Sequence, residues 1–316
     1  MPSAILVAIT GWPPKEWHER FRALAPARDF RMWPGHVGDP ADIVYACAWK
    51  PPAGLLKGFP NLKVIFSLGA GVDHIVADPA LPAVPVVRIV DPDLTMRMTE
   101  YVVLHTLMHH RRLRLYDHQQ SQQLWLDHPQ PAASEIHVGV MGLGVIGRDA
   151  ALALARIGFK VAGWSRTAKS IPGIETFAGS DGLDAFLART EILVCVLPHT
   201  PATDGLLNFD LFRKLKRDGA AGGAFLINAA RGRLQVDDDI IAALDQGVLA
   251  AASLDVFPTE PLPATSPMWT HPKITITPHN AGYSDPRSLV INVLQQIERF
   301  ERGESLQNVI DRKAGY

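Results

Sequence analysis

The sequence predicts an α/β protein built on two doubly wound parallel sheets, with one domain inserted into the other. At 316 residues, the chain exceeds the length at which a single hydrophobic core usually keeps growing, so two domains are expected. Short apolar runs alternate with helical or loop-like stretches in two successive series, which indicates βαβ units and parallel sheets. Between the two series, residues 93–123 have the apolar spacing of a long helix.

The order of these segments predicts where the inserted domain begins and ends. The long helix would lead from the first series into the second, and a final helix would return to pack on the N-terminal unit. We therefore predict one domain from residues 1–95 and 286–316, and the inserted domain from residues 96–285. Strands are predicted in the first series at residues 4–10, 43–48, 62–67 and 84–89, and the final helix is predicted at residues 285–302.

Composition narrows the class of protein. With 31 basic and 32 acidic residues, the chain is nearly neutral, which argues against nucleic acid or an anionic membrane as partner. The densest basic stretch, residues 109–114, is expected to be one solvated face of a helix.

Cys47 and Cys195 lie in apolar runs without metal-ligand spacing. We therefore expect buried reduced thiols and no metal site. The first apolar run lacks a basic flank, which favours a strand and a cytoplasmic protein.

A glycine-rich loop follows the first strand of the second series. Residues 142–147 read Gly-Leu-Gly-Val-Ile-Gly, after a buried-strand pattern and before an alanine-rich helix and another strand. This order is typical of a dinucleotide-binding unit, in which the glycines allow a tight turn, close approach of a pyrophosphate and close helix packing. A purely structural turn is the alternative. The predicted cofactor-binding residues here are Gly142, Leu143, Gly144, Val145, Ile146 and Gly147.

The residues after the next strand indicate which dinucleotide binds. An NAD-binding unit usually has Asp or Glu there, whereas this chain has Ser165-Arg166-Thr167 after Trp164. A carboxylate would repel a 2′-phosphate, but arginine can bind it bidentately and hydroxyls can donate to it. We therefore predict NADPH rather than NADH, with Trp164, Ser165, Arg166 and Thr167 among the binding residues. The alternative is that Arg166 is only a solvated loop cation.

Arg231, Glu260 and His279 each follow a strand-like run of the second series. Ligands of open parallel sheets bind beyond the carboxyl ends of the strands, so the three side chains are expected to converge there. Histidine titrates near neutral pH and suits a proton donor, and a neighbouring carboxylate stabilises its imidazolium form. Arginine can hold a carboxylate and also polarise a carbonyl oxygen. Taken alone, Arg231 would more often be a surface salt-bridge partner than a catalytic residue.

Two other features have two interpretations each. Asp255, at a strand end, could bind the nicotinamide carboxamide or be an ordinary turn carboxylate. The loop Leu-Gly-Ala-Gly-Val-Asp at residues 68–73 lacks a third glycine at the dinucleotide spacing. The N–H groups of Ala70, Gly71 and Val72 could form a nest for a substrate carboxylate, or the loop could be a plain helix entry.

Five segments, in order along essentially the whole chain, together resemble the D-isomer-specific 2-hydroxyacid dehydrogenase family. They are Leu-Gly-Ala-Gly-Val-Asp (68–73), Gly-Leu-Gly-Val-Ile-Gly (142–147), Asn-Ala-Ala-Arg-Gly (228–232), Leu-Asp-Val-Phe with Glu-Pro-Leu-Pro (254–263) and Thr-Pro-His-Asn-Ala (277–281). The resemblance implies two Rossmann-like domains with the active site between them, and a homodimer. Residues 96–285 would then be the dinucleotide-binding domain, and residues 1–95 and 286–316 the substrate (catalytic) domain. Ser165, where the family has an acidic residue, supports NADP.

The same resemblance implies roles for individual residues. Arg231 would bind the substrate carboxylate, and His279 would donate the proton with Glu260 as its partner. Trp49 aligns with an aromatic wall that favours small acids. Residues expected near the cofactor are Leu197, Pro198, Ala229 and Asp255, and those expected near the substrate are Trp49, Ala70, Gly71 and Arg231.

The activity that this set implies is NADPH-dependent reduction of small 2-oxo acids, glyoxylate to glycolate and hydroxypyruvate to D-glycerate. An alternative within the family is a phosphite, formate or D-lactate dehydrogenase. A formate enzyme typically pairs its histidine with glutamine, so Glu260 argues against that choice. A nucleotide-sensing binding protein is an alternative from another class. Trp125, in the loop after the long helix, is expected either to reach a partner subunit or to be buried in its own chain.

Overall fold

The computed structural model describes residues 3–312 and 314–315. The chain divides into two compact units, Met1–Leu94 with Ser284–Tyr316, and Thr95–Tyr283. Each unit contains a parallel sheet, so the predicted α/β class with two parallel sheets is confirmed. The strands are β1 (Ala4–Ile9), β2 (Phe30–Trp33), β3 (Ile43–Trp49), β4 (Val64–Ser67), β5 (Val86–Val87), β6 (His137–Met141), β7 (Lys160–Ser165), β8 (Glu175–Ala178), β9 (Ile192–Cys195), β10 (Phe225–Asn228), β11 (Ala251–Leu254) and β12 (Ile274–Ile276). The α-helices are α1 (Pro14–Leu24), α2 (Asp73–Val76), α3 (Pro92–His110), α4 (Leu113–Ser121), α5 (Val145–Ile157), α6 (Gly179–Arg189), α7 (Phe209–Arg213), α8 (Asp237–Asp245) and α9 (Pro286–Glu301).

The first unit is a five-stranded sheet in the order β2-β1-β3-β4-β5. All six residues of β1 are apolar and buried, as expected for a parallel strand covered on both faces. Helices α1 and α9 cover one face through Trp17, Phe21, Leu289 and Val293. Arg28 donates two hydrogen bonds, of 2.8 and 2.7 Å, to the carboxylate of Glu301. The end of α9 is thereby held to the segment that follows α1.

The second unit is a seven-stranded sheet in the order β12-β11-β10-β9-β6-β7-β8, with every pair parallel. Successive strands run outward from β6 to β8 on one side and from β9 to β12 on the other. The direction of winding therefore reverses between β6 and β9. In sheets of this topology, ligands bind at the carboxyl ends of the strands around that reversal.

The predicted long helix at residues 93–123 is in fact two helices. Helix α3 ends at His110 and α4 begins at Leu113. Between them, Arg112 has a φ of 53°, in the left-handed region, which interrupts the helical hydrogen bonding. Strand β2 had not been predicted, and β5 is shorter than the predicted strand at residues 84–89.

The expectation of a solvated basic face at residues 109–114 is wrong for its two histidines. His109 and His110 are buried, with only 6 % and 8 % of their surface exposed. Burial lowers the pKa of both side chains, that of His109 to about 3. The arginines 111 and 114 are exposed, so charged side chains in solvent directly follow the two buried imidazoles.

A serine hydroxyl joins two buried imidazoles on the inner face of α3. His105 Nδ1 and His109 Nε2 each lie 2.9 Å from Ser253 Oγ on β11. A hydroxyl has one proton, so Ser253 donates to one ring and accepts an N–H from the other. Both rings are satisfied as neutral imidazoles, which agrees with the lowered pKa of each.

Two other expectations concern the exposure of side chains. Cys47 and Cys195 are buried and free, as predicted. Trp125 is fully exposed between Leu124 and Leu126, which are 58 % and 57 % exposed, so the expectation of burial within its own chain is wrong. Among the residues that the structure describes, no helix is both long and apolar enough to cross a membrane.

We expect His109 to make the protein less stable in acid. Because the folded-state pKa is about 3 against an ordinary 6.5, protonation of the unfolded state begins near pH 6.5. The free energy of unfolding should fall from there toward pH 3, by up to about 1.4 kcal/mol per pH unit. Urea unfolding at several pH values should show a shallower dependence in His109→Gln than in wild type. His118→Gln, at an exposed site on α4, is the control; an unchanged slope in His109→Gln would contradict the assignment.

Candidate active site

The glycine loop between β6 and α5 depends on close packing of its own main chain. Gly142 has a φ of 103° and its N–H donates to the carbonyl of Trp164, 2.8 Å away. A Cβ at Gly147 would lie 1.7 Å from the carbonyl oxygen of Gly142, so α5 can approach the turn only with glycine there. A Cβ at Gly144 would meet no atom within 4 Å. The loop is thus tightly packed at Gly142 and Gly147, and the space beside Gly144 is open.

Helix α5 presents its N-terminus to this open space. Its N-cap is Gly144, and no side chain caps the first turn. The first N–H groups of a helix have no partner within it and carry the positive end of the helix dipole. Such an end binds phosphate groups, so Gly144, Val145 and Ile146 fit the pyrophosphate of a dinucleotide. Leu143 instead packs its side chain against Gly163 of β7.

The segment after β7 is exposed and cationic. Ser165 is buried, and its hydroxyl donates to the carbonyl of Thr167 at 2.8 Å, which fixes the turn. Arg166 and Thr167 are exposed. Trp164 faces the core, where its indole N–H donates to the carbonyl of Gly179 at 2.9 Å. The arginine is therefore the side chain of this group best placed to meet an anionic substituent.

The residues predicted beside the cofactor directly follow β9 and β10, the two strands that lie to one side of β6. Leu197 is largely buried in the core, and Pro198 is half-buried with its carbonyl accepting from Thr203 Oγ1 at 2.8 Å. The N–H of Ala229 donates to the carbonyl of Cys195 at 3.2 Å. Because β6, β9 and β10 are neighbours, these residues form one continuous edge with the glycine loop.

Arg231 leaves the end of β10 in a loop fixed by Asn228. The amide Nδ2 of Asn228 donates to the carbonyl of Arg231 at 3.3 Å, and its Oδ1 accepts from Ala230 N–H at 3.1 Å. Gly232 follows, and a Cβ there would lie 1.9 Å from the carbonyl carbon of Phe257. This glycine lets the loop after β10 pack directly on the loop after β11. The loops that carry Arg231 and Glu260 are thus held together by main-chain contact.

Glu260 and His279 form a direct pair. Nδ1 of His279 lies 2.8 Å from Oε2 of Glu260, and the two side chains are 33 % and 26 % exposed. The other carboxylate oxygen, Oε1, accepts from the N–H of Phe257 at 3.1 Å. The main-chain N–H of Phe257 thereby fixes one carboxylate oxygen, and the other oxygen contacts the imidazole. Of the predicted trio, the structure brings this pair into contact and places Arg231 on the adjoining loop.

Asp255 lies beneath the loop that carries His279. Only 1 % of its surface is exposed. Its Oδ1 accepts from Thr277 Oγ1 at 2.7 Å and from Asn280 N–H at 2.9 Å, and its Oδ2 accepts from Ala281 N–H at 3.0 Å. Among its two interpretations, this geometry favours the turn carboxylate.

In the first unit, Trp49 is part of an aromatic stack. Its ring lies 4.1 Å from that of Trp12 at an interplanar angle of 12°, and it meets His74 edge-on at 4.4 Å. A Cβ at Gly69 would lie 2.3 Å from the Trp49 ring, so the glycine admits the indole. Ser67 Oγ lies 3.0 Å from the carbonyl oxygens of both Gly69 and Gly71, which holds the predicted nest loop in shape.

Several residues that build this site were not predicted from the sequence. Asn228 and Gly232 were seen only as part of a motif, and Thr277 and Tyr101 were not singled out. One signal was available for Tyr101, because Tyr101, His105 and His109 recur at four-residue intervals and so share one face of α3. Among the described residues, no group of three or more His, Cys, Asp or Glu side chains is arranged to hold a metal ion.

The sheet edge combines a dinucleotide loop with an imidazole–carboxylate pair, which together define a site for dinucleotide-dependent redox chemistry. A family model described as "D-isomer specific 2-hydroxyacid dehydrogenase, NAD binding domain" matches residues 103–281. Glyoxylate/hydroxypyruvate reductase A of Yersinia enterocolitica is 40 % identical over 308 residues, covering 96 % of this chain and 96 % of that protein. The chain therefore belongs to the D-isomer-specific 2-hydroxyacid dehydrogenase family, and the assignment made from its sequence motifs is confirmed.

Solved structures agree with this assignment. The NADPH-dependent glyoxylate/hydroxypyruvate reductase of Sinorhizobium meliloti, crystallised with NADP and sulfate, is 46 % identical, with a TM-score of 0.95 over 99 % of this chain and 100 % of that one. A probable 2-hydroxyacid dehydrogenase of Rhizobium etli, crystallised with NADP, HEPES and L(+)-tartaric acid, is 47 % identical, with a TM-score of 0.94 over all of both chains.

Two substitutions in the glycine loop should separate folding from binding. Gly144→Ala places its methyl group in open space at a φ of −72°, so the melting temperature should stay unchanged. NADPH binding, measured by calorimetry, should weaken by about tenfold or more because the methyl group occupies the approach to the main chain. Gly147→Ala should lower both the melting temperature and the affinity for NADPH, since the 1.7 Å clash forces α5 away from the turn. We expect this clash to lower the free energy of unfolding by about 1–3 kcal/mol.

Gly58→Ala, whose Cβ also meets no atom within 4 Å, is the control for both variants. Wild-type NADPH affinity in Gly144→Ala would mean that the loop does not approach the cofactor.

Proposed function

We propose that this protein is an NADPH-dependent reductase of small 2-oxo acids, which converts glyoxylate to glycolate and hydroxypyruvate to D-glycerate. The observation that carries the proposal is the 2.8 Å contact between His279 Nδ1 and Glu260 Oε2. The names of the Yersinia and Sinorhizobium relatives support the same substrates. A nucleotide-binding protein without catalysis would have no need of this pair.

The residues of the second unit fit NADPH. The uncapped N-terminus of α5 would hold the pyrophosphate, and Arg166 would meet the 2′-phosphate. Leu197 and Pro198 follow β9, and Ala229 follows β10. These two strands lie between the glycine loop and the catalytic pair, along the path that an extended dinucleotide would follow. When bound, NADPH supplies the hydride that reduces the carbonyl carbon.

His279 provides the proton for the carbonyl oxygen. Because Glu260 accepts at Nδ1, that nitrogen carries a proton and the imidazolium form is stabilised by the neighbouring negative charge. Nε2 is then the nitrogen that can deliver a proton outward. A neutral glutamine at position 260 would keep the orientation without stabilising the imidazolium. The carboxylate therefore suits reduction of a carbonyl, where an oxygen must be protonated.

Arg231 is proposed to bind the substrate carboxylate. Its loop is fixed by Asn228 and packed against the loop of Glu260 through Gly232. Its Nη1 donates to the carbonyl of Ala230 at 2.8 Å, so the guanidinium is held near the end of β10. A bidentate ion pair would orient a 2-oxo acid and place its carbonyl group next to the arginine. In the first unit, Ala70, Gly71 and Trp49 are proposed as further substrate contacts, on a loop that Ser67 holds in shape.

Steady-state assays with purified protein test the proposed reaction. Oxidation of NADPH should be fastest with glyoxylate and hydroxypyruvate, slower with pyruvate and slowest with bulkier 2-oxo acids. His279→Ala should lower turnover about 10²- to 10⁴-fold, the usual contribution of a general acid, with NADPH affinity unchanged. Absence of NADPH oxidation with every 2-oxo acid, while NADPH still binds, would favour the nucleotide-binding alternative.

Arg166 should determine the preference for NADPH. Loss of a charge-assisted contact to the 2′-phosphate costs about 1.5–3 kcal/mol, so Arg166→Ala should weaken NADPH binding about tenfold to a hundredfold and leave NADH binding unchanged. Arg156→Ala, an exposed arginine in the last turn of α5, removes the same charge and should change neither affinity. Equal losses for NADPH and NADH in Arg166→Ala would contradict the assignment.

We also propose that the protein is a cytoplasmic homodimer. Leu124, Trp125 and Leu126 form an exposed apolar segment after α4, of the kind that a second copy of the chain would cover. Sedimentation should give twice the chain mass of 34.5 kDa, and Trp125→Ser should shift the equilibrium toward monomer. A monomeric wild-type protein would contradict the proposal, and cell fractionation tests the location.

A further inference from the structure

We infer that Tyr101 and Thr277 are positioning residues for His279, which act through the buried carboxylate of Asp255. This inference rests on the proposed role of His279 as proton donor. Tyr101 belongs to α3, far along the chain from the trio, and neither hydroxyl belongs to a group already assigned to substrate or cofactor. The link between them and His279 is a continuous chain of short hydrogen bonds.

The direction of each hydrogen bond in this chain follows from the number of protons. Thr277 Oγ1 lies 2.7 Å from Asp255 Oδ1 and 2.8 Å from the hydroxyl of Tyr101. An ionised carboxylate only accepts, so Thr277 gives its one proton to Asp255. Tyr101 must then donate to Thr277. Burial raises the pKa of Tyr101, which keeps this donor protonated.

Asp255 holds the loop of His279 from both sides. Its carboxylate accepts from Thr277, two residues before the histidine, and from the N–H groups of Asn280 and Ala281, one and two residues after it. Its main-chain carbonyl accepts the N–H of His279 itself, at 2.8 Å. Every residue from 277 to 281 except Pro278 therefore donates a hydrogen bond either to the side chain or to the main-chain carbonyl of Asp255.

The backbone of His279 needs such support. Its φ is 53°, in the left-handed region. A residue with a Cβ seldom occupies this region unless its surroundings fix it there, and such residues cluster at functional sites. The left-handed turn at residue 279 occurs where the imidazole meets Glu260. If the loop relaxed toward ordinary backbone angles, the distance between Nδ1 and the carboxylate would change.

Tyr101 is itself held in place. Its ring lies 4.1 Å from that of His105, whose Nδ1 contacts Ser253 Oγ on β11. Burial lowers the pKa of His105, so this neighbour is neutral and adds no charge beside Asp255. The titratable groups around the chain are thus Tyr101, His105 and Asp255 below the loop, and Glu260 at its surface. Glu260 remains the carboxylate in contact with the imidazole.

The test compares variants that each remove one hydroxyl. Thr277→Val and Tyr101→Phe keep the shape of the side chain, and Thr277→Ser keeps the hydroxyl. We expect kcat to fall about ten- to hundredfold in Thr277→Val, as for a misaligned proton donor, with smaller loss in Tyr101→Phe. The KM for glyoxylate and the Kd for NADPH should stay within about twofold of wild type, and Thr277→Ser should recover most of kcat. The double variant should lose no more than Thr277→Val alone, because both act through one chain.

A matched control removes a buried hydroxyl elsewhere. Tyr45 is buried in the first unit, with its hydroxyl 3.5 Å from Glu301, and Tyr45→Phe should leave kcat unchanged. If Thr277→Val does not fold, the result for Tyr101→Phe decides, because this variant loses a single oxygen and keeps the ring against that of His105. Wild-type kcat in both Thr277→Val and Tyr101→Phe would overturn the inference.

A second measurement excludes a merely structural role. The Nδ1–H of His279 donates to Glu260, so its NMR signal reports on that hydrogen bond directly. In protein labelled at the histidine nitrogens and assigned with His279→Gln, the Nδ1 shift of His279 should change in Thr277→Val and return toward the wild-type value in Thr277→Ser. A lower melting temperature with an unmoved Nδ1 signal would overturn the inference.

The NMR measurement needs no turnover, so it separates the two hypotheses. If wild-type protein reduces no 2-oxo acid, the proposed function fails. The Nδ1 signal of His279 in Thr277→Val then still supports or overturns the control of His279 by Thr277.

Discussion

The second unit depends on the parallel orientation of its strands. Because every strand of this sheet runs the same way, each strand ends at the same edge, and the loops after β6, β7 and β9–β12 meet there. The order of these strands sets the order of the features along the edge. The turn with Arg166 comes first, then the uncapped N-terminus of α5, and then the loops of Arg231, Glu260 and His279. Met141 and Cys195, which are far apart in the chain, become partners through the sheet alone.

Within that edge, one buried carboxylate controls the conformation of the reacting loop. Asp255 is enclosed, yet its oxygens are occupied by a threonine hydroxyl and by main-chain N–H groups rather than by a cation. A buried carboxylate without such donors would be costly, and the donors in turn lose their partner if it is removed. The loop and the carboxylate therefore stabilise each other, which makes a left-handed histidine tolerable.

The sequence predicted features that depend on local pattern. The glycine loop was found because strand, loop and helix signals are adjacent, and the pairing of Glu260 with His279 because both follow strands and match a motif. Features decided by packing were not predicted: the break at Arg112, the burial of His109 and His110, and the hydroxyl of Tyr101 beneath Thr277. The sequence suggests that a histidine beside arginines is exposed to solvent. Only the packing of that helix face on the sheet shows that the histidine is buried. Exposure of Trp125 is a similar case, since an indole in a short loop has no periodic signal.

The contact of Gly232 with the carbonyl of Phe257 has a consequence for redesign. Two loops that share main-chain contact cannot be lengthened or exchanged one at a time, so the loops that carry Arg231 and Glu260 have to change together. Arg166 is instead an exposed side chain, in the turn after β7 on the opposite side of the glycine loop. A redesign can therefore change the turn at Arg166 one side chain at a time, whereas the loops of Arg231 and Glu260 have to be transplanted together.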